Sequence, residues 1–488
     1  MAAGAAARLW RLGLPALSSD EAFSWRLARY PLGELVRRTA DDVHSPLWYL
    51  LLKAWLPLAG ESATALRALS VLLGLAAVAL TYLLVREATR PRGPGGALLA
   101  AALVALHPLQ VQQGRNARMY ALGTALAALT AWLLLRALRR GGAASWAGYG
   151  AAAAAFVYAH YYALFTLLAQ AVGAALLWHG RLREHASDDE AASDGPAGRP
   201  VPLRWPALAG GVALLLFLPW LPSFLVQARR VQEEYWIPPV SAGALRDALL
   251  HWATGLGASP AAWSALAVLA VAVAWGCARA PRVSLFFAAQ AVLPWLLALA
   301  VAVLGHRPLL LERFTVFAQV GLIALVGVAV SRLPRAPGVA LAGLLAGAAA
   351  LGLAGLLRAL PADPPATAQV ARVLRRGAQA GDAVVVDSPR ALNKMLFYLQ
   401  QEGVRDLPVL SLPGVAGGEH YTHAASLRPG EQVERVEEAA RGGGRLWRAP
   451  DKPYPVPPAP PFWTLGYARV FDGGEGSKAL LVRYDPGS

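Results

Sequence analysis

At 488 residues, 56% of them hydrophobic and only 15% charged, the chain carries more apolar surface than one soluble core can bury. A net charge of +15 and a pI near 10.3 would suit a nucleic-acid partner, but the basic residues lie in short clusters between apolar stretches and not on one solvated face, which sets that class aside. The single cysteine, Cys277, falls inside an apolar stretch and excludes an intrachain disulfide.

The chain opens on residues 1–17, a marginally apolar segment interrupted by Arg8 and Arg11 and without the architecture of a secretory signal. Ten apolar stretches of about membrane-spanning length follow: residues 64–85, 97–112, 120–138, 145–158, 161–178, 205–226, 259–278, 284–304, 314–331 and 338–357. The fourth is short and rich in alanine. Between the fifth and sixth, residues 182–203 are rich in Ser, Asp, Gly and Pro and read as a flexible linker. No internal repeat is visible.

Short loops rich in Lys and Arg stay in the cytoplasm. Arg86, Arg90 and Arg92, then Arg136, Arg139 and Arg140, then Arg181, Arg183, Arg199 and Arg204, then Arg279 and Arg282, then Arg332 and Arg335 mark every second loop as cytoplasmic. Residues 18–63, 107–118, 159–160, 227–258, 305–313 and everything after Arg358 then face outward. An outward segment 18–63 requires an earlier crossing, so the expectation is a first span truncated within residues 1–17 and a coding start lying upstream. The outward loops hold Arg115, Arg118, Arg229, Arg230, Arg246 and Arg313 against the usual bias, which needs a reason.

Beyond Pro361 the composition turns charged and proline-rich. Residues 383–386, 409–412 and 479–484 read as strands and 390–401 and 431–441 as helices, with a rigid proline-rich connector at 453–461. The expected architecture is mainly α: a polytopic transmembrane bundle over 1–361, including the outer loop 18–63 and the cytoplasmic linker 181–204, with a small α/β extracytoplasmic domain over 362–488.

Several polar groups could carry chemistry. Ser19, Asp20 and Glu21 stand where the chain emerges on the outer side; alone, they suit a helix start with Ser19 as N-cap. The run Asp41-Asp42-Val43-His44-Ser45-Pro46-Leu47 turns into an apolar amphipathic helix. Arg115 and Arg118, three residues apart in Gly114-Arg115-Asn116-Ala117-Arg118-Met119-Tyr120, suit a phosphate or, equally, two arginines snorkelling to the interface. Tyr158-Ala159-His160-Tyr161-Tyr162 suits a binding wall or an interfacial aromatic belt.

In order and spacing these pieces resemble the multi-spanning, polyprenyl-phosphate-dependent glycosyltransferases of the C type, the group that includes protein O-mannosyltransferases and the lipid A aminoarabinose and galacturonic-acid transferases. The likeness runs from Leu9 to about Val330, through Arg8-Leu9-Trp10-Arg11-Leu12-Gly13 ahead of Asp20-Glu21, Val43-His44-Ser45-Pro46-Leu47, Ala117-Arg118-Met119-Tyr120, His160-Tyr161-Tyr162-Ala163, Leu218-Pro219-Trp220-Leu221-Pro222, Trp236-Ile237-Pro238-Pro239 and Glu312-Arg313-Phe314. Two departures stand out: Ser45-Pro46 where members often carry two prolines, and Asn116 where they often carry an acid.

The resemblance implies transfer of a sugar from a lipid-linked phosphate donor to a glycan, lipid or protein acceptor on the outer face of the cytoplasmic membrane, with inversion. Asp20 is then the expected general base and Glu21 its neighbour that positions the acceptor or tunes the pair. His44, Arg118 and Arg313 are expected at the donor phosphate, and His160 and Tyr161 at the sugar or the pocket wall. No cofactor is evident and no histidines stand at metal-ligand spacing, although a divalent metal stays open. The rival class is a transporter or flippase for a lipid-linked or anionic substrate, which would spread charge through the spans; a non-catalytic membrane anchor is a third.

Overall fold

A computed structural model of the chain describes residues 1–187, 202–233, 241–304, 312–413, 424–440, 444–450, 455–460, 463–472 and 478–486. Most of the linker, the Trp236-Ile237-Pro238-Pro239 motif and residues 305–311 lie outside the described residues.

Helices follow in the order α1 (Ala2–Leu9), α2 (Ser19–Ala28), α3 (Leu32–Ala40), α4 (Leu47–Ala59), α5 (Ala63–Ala88), α6 (Gly95–Leu106), α7 (Pro108–Gln113), α8 (Tyr120–Arg140), α9 (Ala143–Ala159), α10 (Ala163–Ser187), α11 (Arg204–Phe217), α12 (Leu221–Glu233), α13 (Ala242–Thr254), α14 (Pro260–Arg279), α15 (Pro281–Leu304), α16 (Glu312–Val330), α17 (Arg335–Arg358), α18 (Ala366–Gly377) and α19 (Pro389–Gln401). Strands β1 (Ala383–Val386), β2 (Val409–Ser411), β3 (Leu446–Ala449), β4 (Trp463–Asp472) and β5 (Lys478–Pro486) complete the chain.

All ten predicted apolar stretches are helical. Among the described residues, however, seven helices are long and apolar enough to cross a bilayer: α5, α8, the bent helix Arg204–Val231, α14, α15, α16 and α17. The shortfall has local causes. The stretch 97–112 breaks at His107, because Pro108 has no N–H to continue the ladder and instead starts α7 at its first position. Helix α9 covers 17 residues, and the apolar part of α10 is the short segment Ala163–Trp178. The molecule is a multi-pass membrane protein, mainly α, with a small sheet near its C-terminal end.

The chain divides into two compact units. The first comprises residues 1–10, 44–48 and 68–358. At its centre α16 is buried along nearly its whole length and packs against α6, α8, α14 and α15. Backbones touch where α6 meets α16: a Cβ on Gly96 would lie 2.0 Å from the Gly327 carbonyl oxygen, so only glycine permits the approach. The Arg8 charge that marred residues 1–17 as a span is buried against backbone. Its guanidinium donates to the carbonyls of Gly4, Val104, Ala105 and Gln110 at 2.8–3.4 Å, satisfying the free end of α6.

The second unit comprises residues 11–43, 49–67 and 359–488. Its sheet has the order β2-β1-β3-β5-β4, parallel from β2 to β3 and antiparallel thereafter. Residues 383–386 were legible as a buried strand because all four side chains of β1 are buried. The core gathers Val385, Leu446, Leu480, Val482 and Tyr484. The sheet does not make a unit by itself. Arg26 donates to the Ser426 carbonyl and pairs with Glu431; Tyr30 donates to the same carbonyl at 2.8 Å; Arg38 donates to the carbonyls of Ala425 and Leu427, both at 2.7 Å. The domain expected over 362–488 is therefore packed in one unit with α2, α3 and most of α4.

The helix expected at 431–441 is not formed. Val436–Ala440 makes only a short 3-10 helix, and residue 441 lies outside the described residues. The Ser411 amide donates to the Glu431 carbonyl at 2.8 Å and the Val433 amide to the Ser411 carbonyl at 3.0 Å, which draws this stretch out along β2. Of the proline-rich connector, residues 455–460 are described, and the Tyr484 hydroxyl donates to the Pro457 carbonyl at 2.6 Å.

Candidate functional site

The carboxylate pair of the second unit sits on the first turn of α2. Ser18, not Ser19, is the N-cap: its hydroxyl accepts from the Glu21 amide at 3.2 Å and its own amide donates to Glu21 Oε2 at 2.9 Å, a reciprocal capping box. Glu21 is also gripped by Arg67, whose Nε and Nη2 donate to the two carboxylate oxygens at 2.8 and 2.9 Å. Both side chains are 4% exposed, and Glu21 is engaged in holding the turn. Asp20, the next residue back, is half-buried at the N-terminus of α2, where the amide ends favour its charge. Glu21 is thus held within the turn, while Asp20 beside it is half-buried.

The first unit holds the remaining predicted residues. Arg118 is 2% exposed and donates from Nη2 to His44 Nε2 at 2.9 Å, leaving the proton of that imidazole on Nδ1. The loop carrying Arg118 is pinned on both sides. Ser70 donates to the Asn116 carbonyl at 2.7 Å, and Arg115 donates to the carbonyls of Ala7 and Arg8 at 3.0 and 2.8 Å. The two guanidinium groups that looked equivalent in sequence therefore part company: Arg115 caps the end of α1, and Arg118 turns to His44.

His160 ends α9. Its Nδ1 accepts from the Tyr162 amide at 3.1 Å, and its ring is enclosed by Tyr120, Tyr162, Phe314 and Phe317 at centroid distances of 5.1–6.1 Å. Burial, reinforced by His44, Arg118 and Arg313, pushes its pKa down to about 3. It is therefore a neutral imidazole facing three basic side chains, with Nε2 as its donor. Arg313 lies over the Phe314 ring at 5.5 Å, at the start of α16. The neighbouring Glu312 pairs with His251 of α13, and Trp252 Nε1 donates to the Thr315 carbonyl at 3.0 Å, so α13 fixes the turn that presents Arg313.

Tyr161 is tied in by hydrogen bonds. Trp220 Nε1 donates to its hydroxyl at 2.8 Å, the hydroxyl donates to Gln227 Oε1, and Gln227 Nε2 donates to the His44 carbonyl at 3.2 Å. His44, Arg118, His160, Tyr161 and Arg313 thus converge within one unit. Asp20 and Glu21 belong to the other.

Sequence inspection missed Arg67 and Gln227. Arg67 had a signal, a lone charge at the head of an apolar span; Gln227 had none. Among the described residues no three His, Cys, Asp or Glu side chains gather as metal ligands.

Residues 43–222 match the family model described as dolichyl-phosphate-mannose-protein mannosyltransferase. No curated protein sequence matches the chain. The fold is similar to that of ArnT from Cupriavidus metallidurans, in the apo state (TM-score 0.58) and bound to undecaprenyl phosphate (TM-score 0.59). Identity is 13% in both, over 98% of this chain and 95% and 96% of those chains. It is also similar to the Archaeoglobus fulgidus oligosaccharyltransferase in complex with Zn and sulfate, with a TM-score of 0.51 and 12% identity over 92% of this chain and 67% of that one.

Proposed function

We propose that this chain is a membrane glycosyltransferase of the C type that moves a sugar from a polyprenyl-phosphate donor to an acceptor at the outer face of the cytoplasmic membrane, inverting the anomeric carbon; the family model over residues 43–222 and the fold support the reading. The observation that carries the proposal is the buried Arg118–His44 pair with Arg313 and the neutral His160 around it, a cationic cluster suited to one lipid phosphate. The Cupriavidus ArnT bound to undecaprenyl phosphate, which shares the fold, supports the donor class.

In the reaction the acceptor oxygen bonds to the anomeric carbon and the bond from that carbon to the phosphate oxygen breaks. The polyprenyl phosphate leaves with the bonding electrons. Asp20 takes the acceptor proton; Arg118 and Arg313 stabilise the growing negative charge on the leaving phosphate; His160 donates Nε2–H to the sugar or phosphate.

The transporter alternative has less behind it. Arg67, at the head of α5, is spent on Glu21 and on the backbone carbonyls of Leu12, Pro15 and Ala16. The C-terminal sheet and Asp20 both face outward in this proposal, following the alternation of arginine-rich loops.

Incubating membranes with a panel of radiolabelled polyprenyl-phosphate sugars tests it. Transfer that Asp20→Asn abolishes supports it. Transfer from no lipid-phosphate donor, or transfer untouched in both Asp20→Asn and Arg118→Ala, overturns it.

A further inference from the structure

The bent helix of α11 and α12 is poorly covered by protein: Leu214, Leu215, Leu225 and Val226 are 50–69% exposed, as lipid-facing side chains are. Besides the small Ala209 of α11, two side chains break that pattern. Trp220 is 6% exposed and Gln227 is 1% exposed, and Gln227 reaches from α12 to the segment carrying His44.

A buried primary amide presents a donor end and an acceptor end, and here the two face different elements. The acceptor, Oε1, receives the Tyr161 hydroxyl from the turn between α9 and α10; the donor, Nε2, meets the backbone carbonyl of His44 ahead of α4. Trp220, from the short 3-10 helix Leu218–Trp220 at the bend, completes the tie by donating to the Tyr161 oxygen. The His44 ring in turn accepts from Arg118, whose own loop is held by Ser70 and Arg115. Arg118 is thus fixed from two sides, and on the His44 side the fixing passes through Gln227.

From this we infer that Gln227 is a positioning residue for the donor phosphate, setting the His44 peptide and through the imidazole the direction of the Arg118 guanidinium. It links the lipid-facing helix, where a polyprenyl chain would lie, to the cation that holds its phosphate. The inference rests on the donor-site proposal above. At this position glutamate keeps the acceptor for Tyr161 but has no donor for the His44 carbonyl, and alanine has neither.

The test uses the full-length protein in detergent with undecaprenyl phosphate as the probe, measured by direct binding. Gln227→Ala and Gln227→Glu should each weaken binding roughly 5- to 30-fold, the effect of leaving a buried partner unsatisfied. In a His44→Ala background the same Gln227→Ala change should have almost no further effect, because the part it positions is gone. Tyr161→Phe should fall between wild type and Gln227→Ala. Full additivity of Gln227→Ala with His44→Ala would overturn the inference and mark Gln227 as a packing residue. Wild-type binding by Gln227→Ala, alongside loss in Arg118→Ala, would overturn it too while leaving the donor site standing. If Arg118→Ala and His44→Ala themselves bind like wild type, the donor-site proposal fails first.

Discussion

Arg67 and Glu21, 46 positions apart, form a closed pair in which nothing polar is left over on the arginine. All five guanidinium N–H groups are used: two on the Glu21 carboxylate and three on the carbonyls of Leu12, Pro15 and Ala16. Replacing Arg67 by Ala strands a buried carboxylate and three carbonyls. The expected loss is about 3–5 kcal/mol of stability, seen as an earlier unfolding transition in detergent. An unchanged transition would show that the pair is not structural.

Asp20 and Glu21 should fail differently although they are adjacent. Asp20→Asn keeps the shape of the turn and removes the proton acceptor, so single-turnover rate should fall by about 10²- to 10⁴-fold with undecaprenyl phosphate binding intact. Glu21→Gln should lower stability along with rate, because its partner is the buried Arg67. A rate loss in Glu21→Gln without any loss of stability would restore it to the chemistry.

Among the arginines of the outward loops, Arg118 and Arg115 give a second contrast. Arg118→Ala and Arg313→Ala should each weaken undecaprenyl phosphate binding by roughly 10- to 100-fold, the scale of a charge-assisted contact to an anion. Arg115→Ala should act mainly on the unfolding temperature, since its contacts run to the backbone of α1.

The His160 imidazole predicts a pH effect with a definite sign. Its pKa in the fold, about 3, lies below the ordinary value of 6.5, so between these limits the unfolded chain binds the extra proton. Stability from this residue is complete above about pH 6.5 and declines as pH falls toward 3. Unfolding temperatures taken from pH 7 down to pH 4 should drop less steeply in His160→Asn than in wild type. Parallel curves would show that His160 titrates normally.

Membrane sidedness is open to labelling. With Cys277 replaced by Ala, single cysteines at Asp20 and at Ser488 should both react with an impermeant maleimide in intact cells. Labelling at one end alone would break the alternation inferred from Arg86, Arg136, Arg204, Arg279 and Arg332.

Length and apolarity made the spans legible, since a run such as Phe314 to Ser331 has no other way to satisfy its backbone in hydrocarbon. Strands β1, β2 and β5 were legible because Val384, Val409 and Val482 sit in short apolar runs. Strand β3, with Arg448 in its middle, and β4, mostly exposed and interrupted by Gly466, carry no such signal. Ser18 and Ser19 differ by one position that only the cap geometry resolves. The domain expected over 362–488 also read as separate in sequence, yet Glu431, Ser426 and Ala425 find partners in Arg26, Tyr30 and Arg38 respectively, contacts between residues about 400 positions apart that no local pattern announces. Of the candidate site, the residue types were visible but their division of labour was not. Arg115 and Arg118 are chemically identical, and only the location of acceptors separates a helix cap from the partner of His44.

The phenol of Tyr161 has one proton, and Gln227 already takes it; Trp220 fills one of its two lone pairs. A sugar brought against this residue therefore meets no hydroxyl proton, and the Tyr161 ring, edge-to-face with Phe224 at 4.9 Å, is the apolar surface beside it. In the proposed donor site, discrimination by that ring would follow the shape of the sugar, favouring an epimer with a continuous C–H face over one whose axial hydroxyl interrupts it.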